Sequence, residues 1–230
     1  MGWLSGWQYR KKHYILEEID PTGTISVTNG SKTVTGSGTN FKSWRKGDKI
    51  LLPDGNWYEI EDITSDTELT ITVNYPGSDA SGQSYKMMRV GYQKRIKVHY
   101  GSGTDNGEDV YLAGKCKSDF GDVRFTASDG ETLLPYEYET EGKVDGDYAI
   151  YWVKVDEIKS DDTSYIYVYY GNSDATYNGD PYQVFDWFED FSSDRSSLYT
   201  HVGTATHTWD TANKRLKIQG NGAWNFTIGS

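Results

Sequence analysis

Residues Lys117–Tyr136 read KSDFGDVRFTASDGETLLPY, and this stretch decides the fold class. Val123 to Thr126 is short, β-branched and aromatic, the composition of a strand. Ala127-Ser128-Asp129-Gly130 supplies a tight turn, with Gly130 free to take positive φ. Thr132 to Leu134 starts a return strand, and Pro135 marks its end or an edge position, since proline donates nothing to a ladder. The stretch is thus a β-hairpin carrying Asp119, Asp122, Asp129 and Glu131 around a single Arg124. A guanidinium is planar and can hold two carboxylates bidentately, so Arg124 is predicted to be a structural clamp on Asp119, Asp122 and Asp129.

The rest of the composition agrees with a β protein. The chain of 230 residues has 19 Tyr and 8 Trp against 3 Met, with 25 Gly, and no window sustains helical periodicity. Aromatic and β-branched side chains suit pleated, half-buried surfaces, which predicts an all-β fold. A net charge of −11 and a pI near 4.8 argue against nucleic acid and against an anionic membrane surface. Both partners require clustered Lys and Arg. One cysteine, Cys116, precludes an intrachain disulfide and reads as a buried thiol. MGWLSGWQYRKKHYI lacks the apolar run of a signal peptide. No stretch approaches the roughly 20 apolar residues of a membrane helix.

In chain order, Trp7 to Leu16 reads as a first strand with Arg10, Lys11 and Lys12 on a solvated or edge-protecting face. The pattern breaks at Asp20-Pro21-Thr22-Gly23. Thr24–Val27 and Lys32–Thr35 flank the turn signal Asn29-Gly30. Lys49–Leu52, Trp57–Ile63 and Glu68–Tyr75 follow, the last alternating Leu69, Ile71, Val73 and Tyr75 on one face. So many short strands in so short a span predict a small barrel or compact sandwich. Val90–Tyr100 (VGYQKRIKVHY) turns Ile96, Val98 and Tyr100 inward and Arg95, Lys97 and His99 outward. Ile150–Val155 places Tyr151, Val153 and Val155 opposite Trp152. Tyr165–Tyr170 is apolar on both faces, as in a strand covered twice.

Several of these segments resemble the domain-of-unknown-function family twenty-three forty-one, found in surface and phage-like proteins. Its W-x-Y-R-K pattern is matched by Trp7, Tyr9, Arg10 and Lys11, and its S-D-x-x-D-[IV]-R-F-T-x-S-D-G pattern by Ser118, Asp119, Asp122–Thr126 and Ser128–Gly130. L-P-Y, W-V-K-V and I-Y-x-Y-Y-G-N stand at Leu134–Tyr136, Trp152–Val155 and Ile166–Asn172. The resemblance implies an antiparallel β-sandwich with no established catalysis. It also implies that a strand like Val90–Tyr100 follows the first strand after a short turn, whereas here residues 21–88 intervene. Residues 1–20 and 89–184 are therefore expected to form a discontinuous host sandwich, interrupted by a small β-barrel at 21–88. Its first strand should pair with Val90–Tyr100, Tyr9 near Gln93. The insert resembles small β modules of phage tail proteins, through TGSGTNF at Thr35–Phe41, Gly47–Ile50, Trp57–Ile60 and Ser65–Thr70. Residues 185–230 resemble the opening of a concanavalin-like jelly roll. About three strands fit there, too few to close two sheets.

Candidate sites follow from side-chain chemistry. Phe185–Phe191 (FDWFEDF) offers Asp186, Glu189 and Asp190, and paired carboxylates serve glycoside hydrolysis at about 5–9 Å. Three carboxylates so close in sequence read more simply as a solvated strand end. The four histidines show no metal-ligand spacing. Oxygen-rich loops bring Asp105, Glu108 and Asp109, and Asp145 and Asp147, into positions that suit Ca²⁺, the one cofactor the sequence suggests. Trp44, Trp209 and Trp224 are candidates for stacking on sugar rings. Together these features predict a non-enzymatic, homo-oligomeric virion protein, a tail or tail-fibre component assembled in the host cytoplasm. It would contact other virion proteins and a host glycan. The alternative is an extracellular or cell-surface adhesin or carbohydrate-binding module, and a third reading is a fragment of a glycan-degrading enzyme.

Overall fold

The computed structural model describes residues 2–15, 19–200, 206–219 and 227–228. The chain divides into two compact units, Met1–Phe185 and Asp186–Ser230. Strands of the first unit are β1 (Tyr9–Tyr14), β2 (Thr24–Val27), β3 (Thr33–Ser37), β4 (Lys49–Leu51), β5 (Trp57–Ser65), β6 (Glu68–Ile71) and β7 (Ala80–Gln83). After them come β8 (Lys86–His99), β9 (Asp109–Tyr111), β10 (Arg124–Thr126), β11 (Tyr136–Val144), β12 (Tyr148–Lys159) and β13 (Tyr165–Tyr170). One helical turn, α1 (Pro181–Val184), closes the unit. The protein is all-β, built on large antiparallel sheets.

A three-stranded sheet, β1-β13-β10, faces the β11-β12-β8 end of a larger sheet that continues through β4-β5-β6-β3-β2-β7. Between the two facing sheets lies a core of Ile96, Val98, Phe125, Tyr151, Val153, Ile166 and Val168, all essentially inaccessible to solvent. The alternation expected for β8 and β12 is what places these residues inside. Phe125 and Tyr151 meet edge to face at 5.1 Å between ring centroids, a geometry that adds to the area they bury. β13 is covered on both faces. Ile166, Val168 and Tyr170 enter the core, while Arg10 lies 4.2 Å over the Tyr167 ring on the far side and 4.4 Å from that of Trp3.

A second hydrophobic cluster gathers Ile25, Val34, Phe41, Ile50, Ile60, Leu69, Ile71 and Met87. β8 serves both clusters. Its first residues pair with β4 and carry Met87 into the second core, and its last residues carry Ile96 and Val98 into the first. Gly91, at φ +61°, sits between the two halves, a backbone state that a residue with a Cβ rarely adopts.

Three expectations need correction. β1 does not pair with β8: Tyr9 lies opposite Tyr170 of β13, and Gln93 lies opposite Lys154 of β12. The doubly apolar β13 takes β1 and β10 as its two neighbours, so the first strand and Val90–Tyr100 belong to opposite sheets. β6 ends at Ile71, leaving Val73 53% exposed although Tyr75 beyond it is buried. The return strand after the quoted turn shrinks to a single bridge between Thr126 and Leu133.

The second unit has β14 (Tyr199–Thr200) paired with β17 (Thr227–Ile228), and β15 (Thr206–Asp210) paired with β16 (Arg215–Gln219). No strand forms over FDWFEDF. There Glu189 and Asp190 accept the backbone N–H groups of Phe191 and Ser192 at 2.8 and 2.9 Å, the bonding of local turns.

Candidate functional site

The quoted hairpin does hold something, but not the carboxylates predicted. Arg124 is 5% exposed, and its guanidinium donates to the carbonyl oxygens of Gly121 (3.0 Å) and Val123 (2.7 Å), and to that of Thr176. Asp122, fully buried, accepts from the backbone N–H of Lys117 at 2.9 Å, of Gly171 at 2.7 Å and of Asn172 at 3.2 Å. Asp119 and Asp129 each close their own turns, accepting from Gly121, and from Glu131 and Thr132. The Arg–Asp clamp is therefore corrected: Arg124 and Asp122 act separately, on one backbone segment. The reason is geometric. Carbonyls converging on a buried guanidinium take three of its five donors, and the N–H groups of Lys117 and of the two residues after β13 satisfy the carboxylate.

That segment is the loop 171–180, which leaves β13 through Gly171 at φ +84°. Lys117 Nζ donates to the Ala175 carbonyl at 3.0 Å, and Asp180 N to the Tyr136 carbonyl at 2.9 Å. Tyr136 Oη donates to Asn178 Oδ1 at 2.5 Å. Trp7 and Tyr136 hold the Arg124 guanidinium 5.5 and 5.6 Å from their ring centres, and Trp7 Nε1 donates to the Asp122 carbonyl at 2.7 Å. The loop so fixed forms one wall of a cavity of about 200 Å³ lined by Arg124, Leu134, Pro135, Tyr136, Asn178, Asp180 and Gln183. Asn178, Asp180 and Gln183 carried no signal in sequence, because only the folded loop carries them to Arg124.

Cys116 lies beneath this clamp. Burial, and next the Asp122 charge, push its thiol up to about 12. A thiol that stays protonated is a poor nucleophile. Cys116 is expected to ignore a disulfide reagent in the native protein and to react fully in denaturant, as measured by thionitrobenzoate release.

The calcium expectation is also corrected. Asp105 pairs with Lys11 at 2.7 Å, Asp109 with His99 at 2.6 Å, and Glu108 and Asp145 with Arg95 and Lys143. Asp147 is exposed. Among the described residues no three His, Cys, Asp or Glu side chains gather as metal ligands. Asp105, Glu108, Asp109 and Asp145 each have a separate partner and do not converge on one point that could hold a hard cation.

Of the aromatic candidates, Trp44 is 5% exposed and belongs to the second core, which corrects its expected exposure. Its ring is covered by Arg89, 4.7 Å from the ring centre, so no sugar face can reach it. Trp209 is half-buried against Phe191 in the second unit. Trp224 lies outside the described residues.

A larger cleft of about 420 Å³ opens beside the middle of β8, lined by His13, Ile15, Ile19, Tyr92, Arg95 and Trp152 among others. Arg95 there is paired with Glu108, and Trp152 Nε1 donates to Glu139 at 2.8 Å. Burial lowers the His13 pKa from 6.5, partly opposed by Asp105 and reinforced by Lys11. The folded state thus favours the neutral ring. Its stability contribution is whole above pH 6.5 and is lost as pH falls through that value toward the folded pKa. His13→Gln is expected to flatten the decline in urea-unfolding free energy between pH ~7.5 and ~5.

No curated protein and no solved structure matches the chain. What the chain does match, over residues 119–212, is the family model described as Domain of unknown function (DUF2341), and within that match Asp122–Thr126, Leu134–Tyr136 and Tyr169–Asn172 meet around the loop that Arg124 and Asp122 hold.

Proposed function

We propose that the protein is a non-enzymatic structural component of a virion tail or tail fibre. In this reading residues 1–20 and 89–184 form a host sandwich, and residues 21–88 form an inserted module that projects for docking. The observation that carries it is β8, one unbroken strand of 14 residues that contributes to two hydrophobic cores. A shared strand transmits load between two bodies where a flexible linker cannot, the property a rigid spacer on a particle needs. Asp48 strengthens the junction, accepting from Arg45 N at 3.0 Å and Val90 N at 3.2 Å. Sheets so braced present loops and edges for self-association and for contact with a host surface.

The alternative is a cell-surface adhesin or carbohydrate-binding module, for which the cavity beside Arg124 is the relevant feature. Light scattering of the purified chain at high concentration, with mass spectrometry of particles released from the producing host, tests the proposal. A homo-oligomer and peptides from within the particle are the expected results. A strict monomer found only in cell-envelope fractions would select the adhesin.

A further inference from the structure

We infer that the cavity between residues 133–136 and residues 178–183, at the junction of the loop 171–180 with α1, is a subsite for one neutral sugar ring, the terminal residue of a surface glycan. The inference deepens the surface-contact part of the proposed function and rests on that part alone.

The cavity's volume, about 200 Å³, falls below the roughly 300–1,000 Å³ of sites for drug-sized ligands and suits a single ring. Its polar groups are of mixed kind. A guanidinium has five N–H donors, and carbonyl bonds from Arg124 account for three of them. Asn178 gives its Oδ1 to Tyr136, which leaves its amide N–H groups for a ligand. Gln183 Nε2 donates to Asp180 Oδ2 at 3.0 Å, which leaves the Gln183 carbonyl oxygen as an acceptor. Asp180 accepts at each carboxylate oxygen once, from Tyr182 N and Gln183 Nε2, and each oxygen has a second lone pair. Leu133, Leu134 and Pro135 supply an apolar wall.

This set decides the class of ligand. A hydroxyl is donor and acceptor at once, so a polyol can use Asn178, Gln183, Asp180 and Arg124 together, with its C–H face on the apolar wall. An anion would meet the Asp180 carboxylate, and a cation would meet Arg124. The site is also rigid before binding, because Arg124, Asp122, Lys117 and Tyr136 already fix the loop. Little ordering cost then opposes a weak ligand.

The full chain is applied to a printed array of neutral and acidic glycans, and neutral hits are checked by saturation-transfer NMR. Neutral terminal sugars are expected to bind, and the Asn178→Ala/Gln183→Ala variant to bind about tenfold more weakly or worse. Both side chains are exposed, and an unchanged melting temperature confirms the fold. Gln183→Ala alone, which leaves the Tyr136 partner in place, is expected to show part of the same loss. No neutral glycan bound, a preference for acidic glycans, or binding unchanged in the double variant would each overturn the inference. Binding lost on Trp209→Ala but kept in the double variant would overturn it too, moving the contact to the second unit. An oligomeric, particle-associated protein that binds no glycan leaves the structural proposal standing while this one fails.

Discussion

Asp122→Asn is expected to lower the unfolding free energy by about 3 kcal/mol, read from urea unfolding at neutral pH. The carboxylate is fully buried and accepts three backbone N–H groups, from Lys117, Gly171 and Asn172. An amide offers one acceptor oxygen and points an NH₂ group at donors that cannot receive it. Bonds to a charged acceptor are worth roughly 1.5–3 kcal/mol each, and a buried donor left unmade loses its desolvation energy outright. Asp119→Asn, at an exposed turn where one N–H is accepted, serves as the control and should cost under about 1 kcal/mol. Equal effects of the two substitutions would mean that the loop is not held as described. Loss of the loop should also weaken or abolish saturation transfer to any bound sugar, because the cavity wall is the loop itself.

Asp48→Asn is the second large effect, expected at about 3 kcal/mol or more. Asp48 is completely buried between Arg45 and Val90, and its carboxylate stands 3.6 Å from the Arg89 guanidinium, itself 5% exposed. Removing one partner of a buried ion pair costs roughly 3–5 kcal/mol because the remaining charge stays in a poorly polarisable setting. Val90 N, one of the groups Asp48 accepts from, belongs to the strand shared by the two cores. The substitution should therefore loosen the junction as well as lower stability. Hydrogen exchange would show this as faster exchange in the middle of β8. The contrast is Lys49→Met, which removes the ion pair with Glu157 at 3.3 Å. Both side chains there are about a third or more exposed, and the expected cost is under about 1 kcal/mol.

Much of this protein was legible as pattern. Alternation in Val90–Tyr100 and Ile150–Val155 assigned the inward faces correctly, because a strand's side chains change sides at every residue whatever its partner is. The doubly apolar Tyr165–Tyr170 announced a central strand, and Asn29-Gly30 announced its hairpin. Such signals are local, and a single chain carries them before it folds. The family motifs from Asp119 onward were legible in the same way.

Partnership was not legible. Tyr9 faces Tyr170 rather than Gln93, since any two strands of suitable pattern can pair and only the competition among all of them selects the register. Trp44, a candidate from sequence for stacking on sugar rings, is buried, because loop residues gain their surroundings from distant segments. The sequence predicts that Arg124 clamps the carboxylates of Asp119, Asp122 and Asp129, but Arg124 and Asp122 each bond separately to the backbone of loop 171–180, about fifty residues away in the chain. Composition and periodicity by themselves determined that this is an all-β protein and which residues its strands turn inward. Tertiary structure alone decided where buried charge finds its partners, because desolvated groups bond to whatever donors and acceptors the whole fold delivers to them.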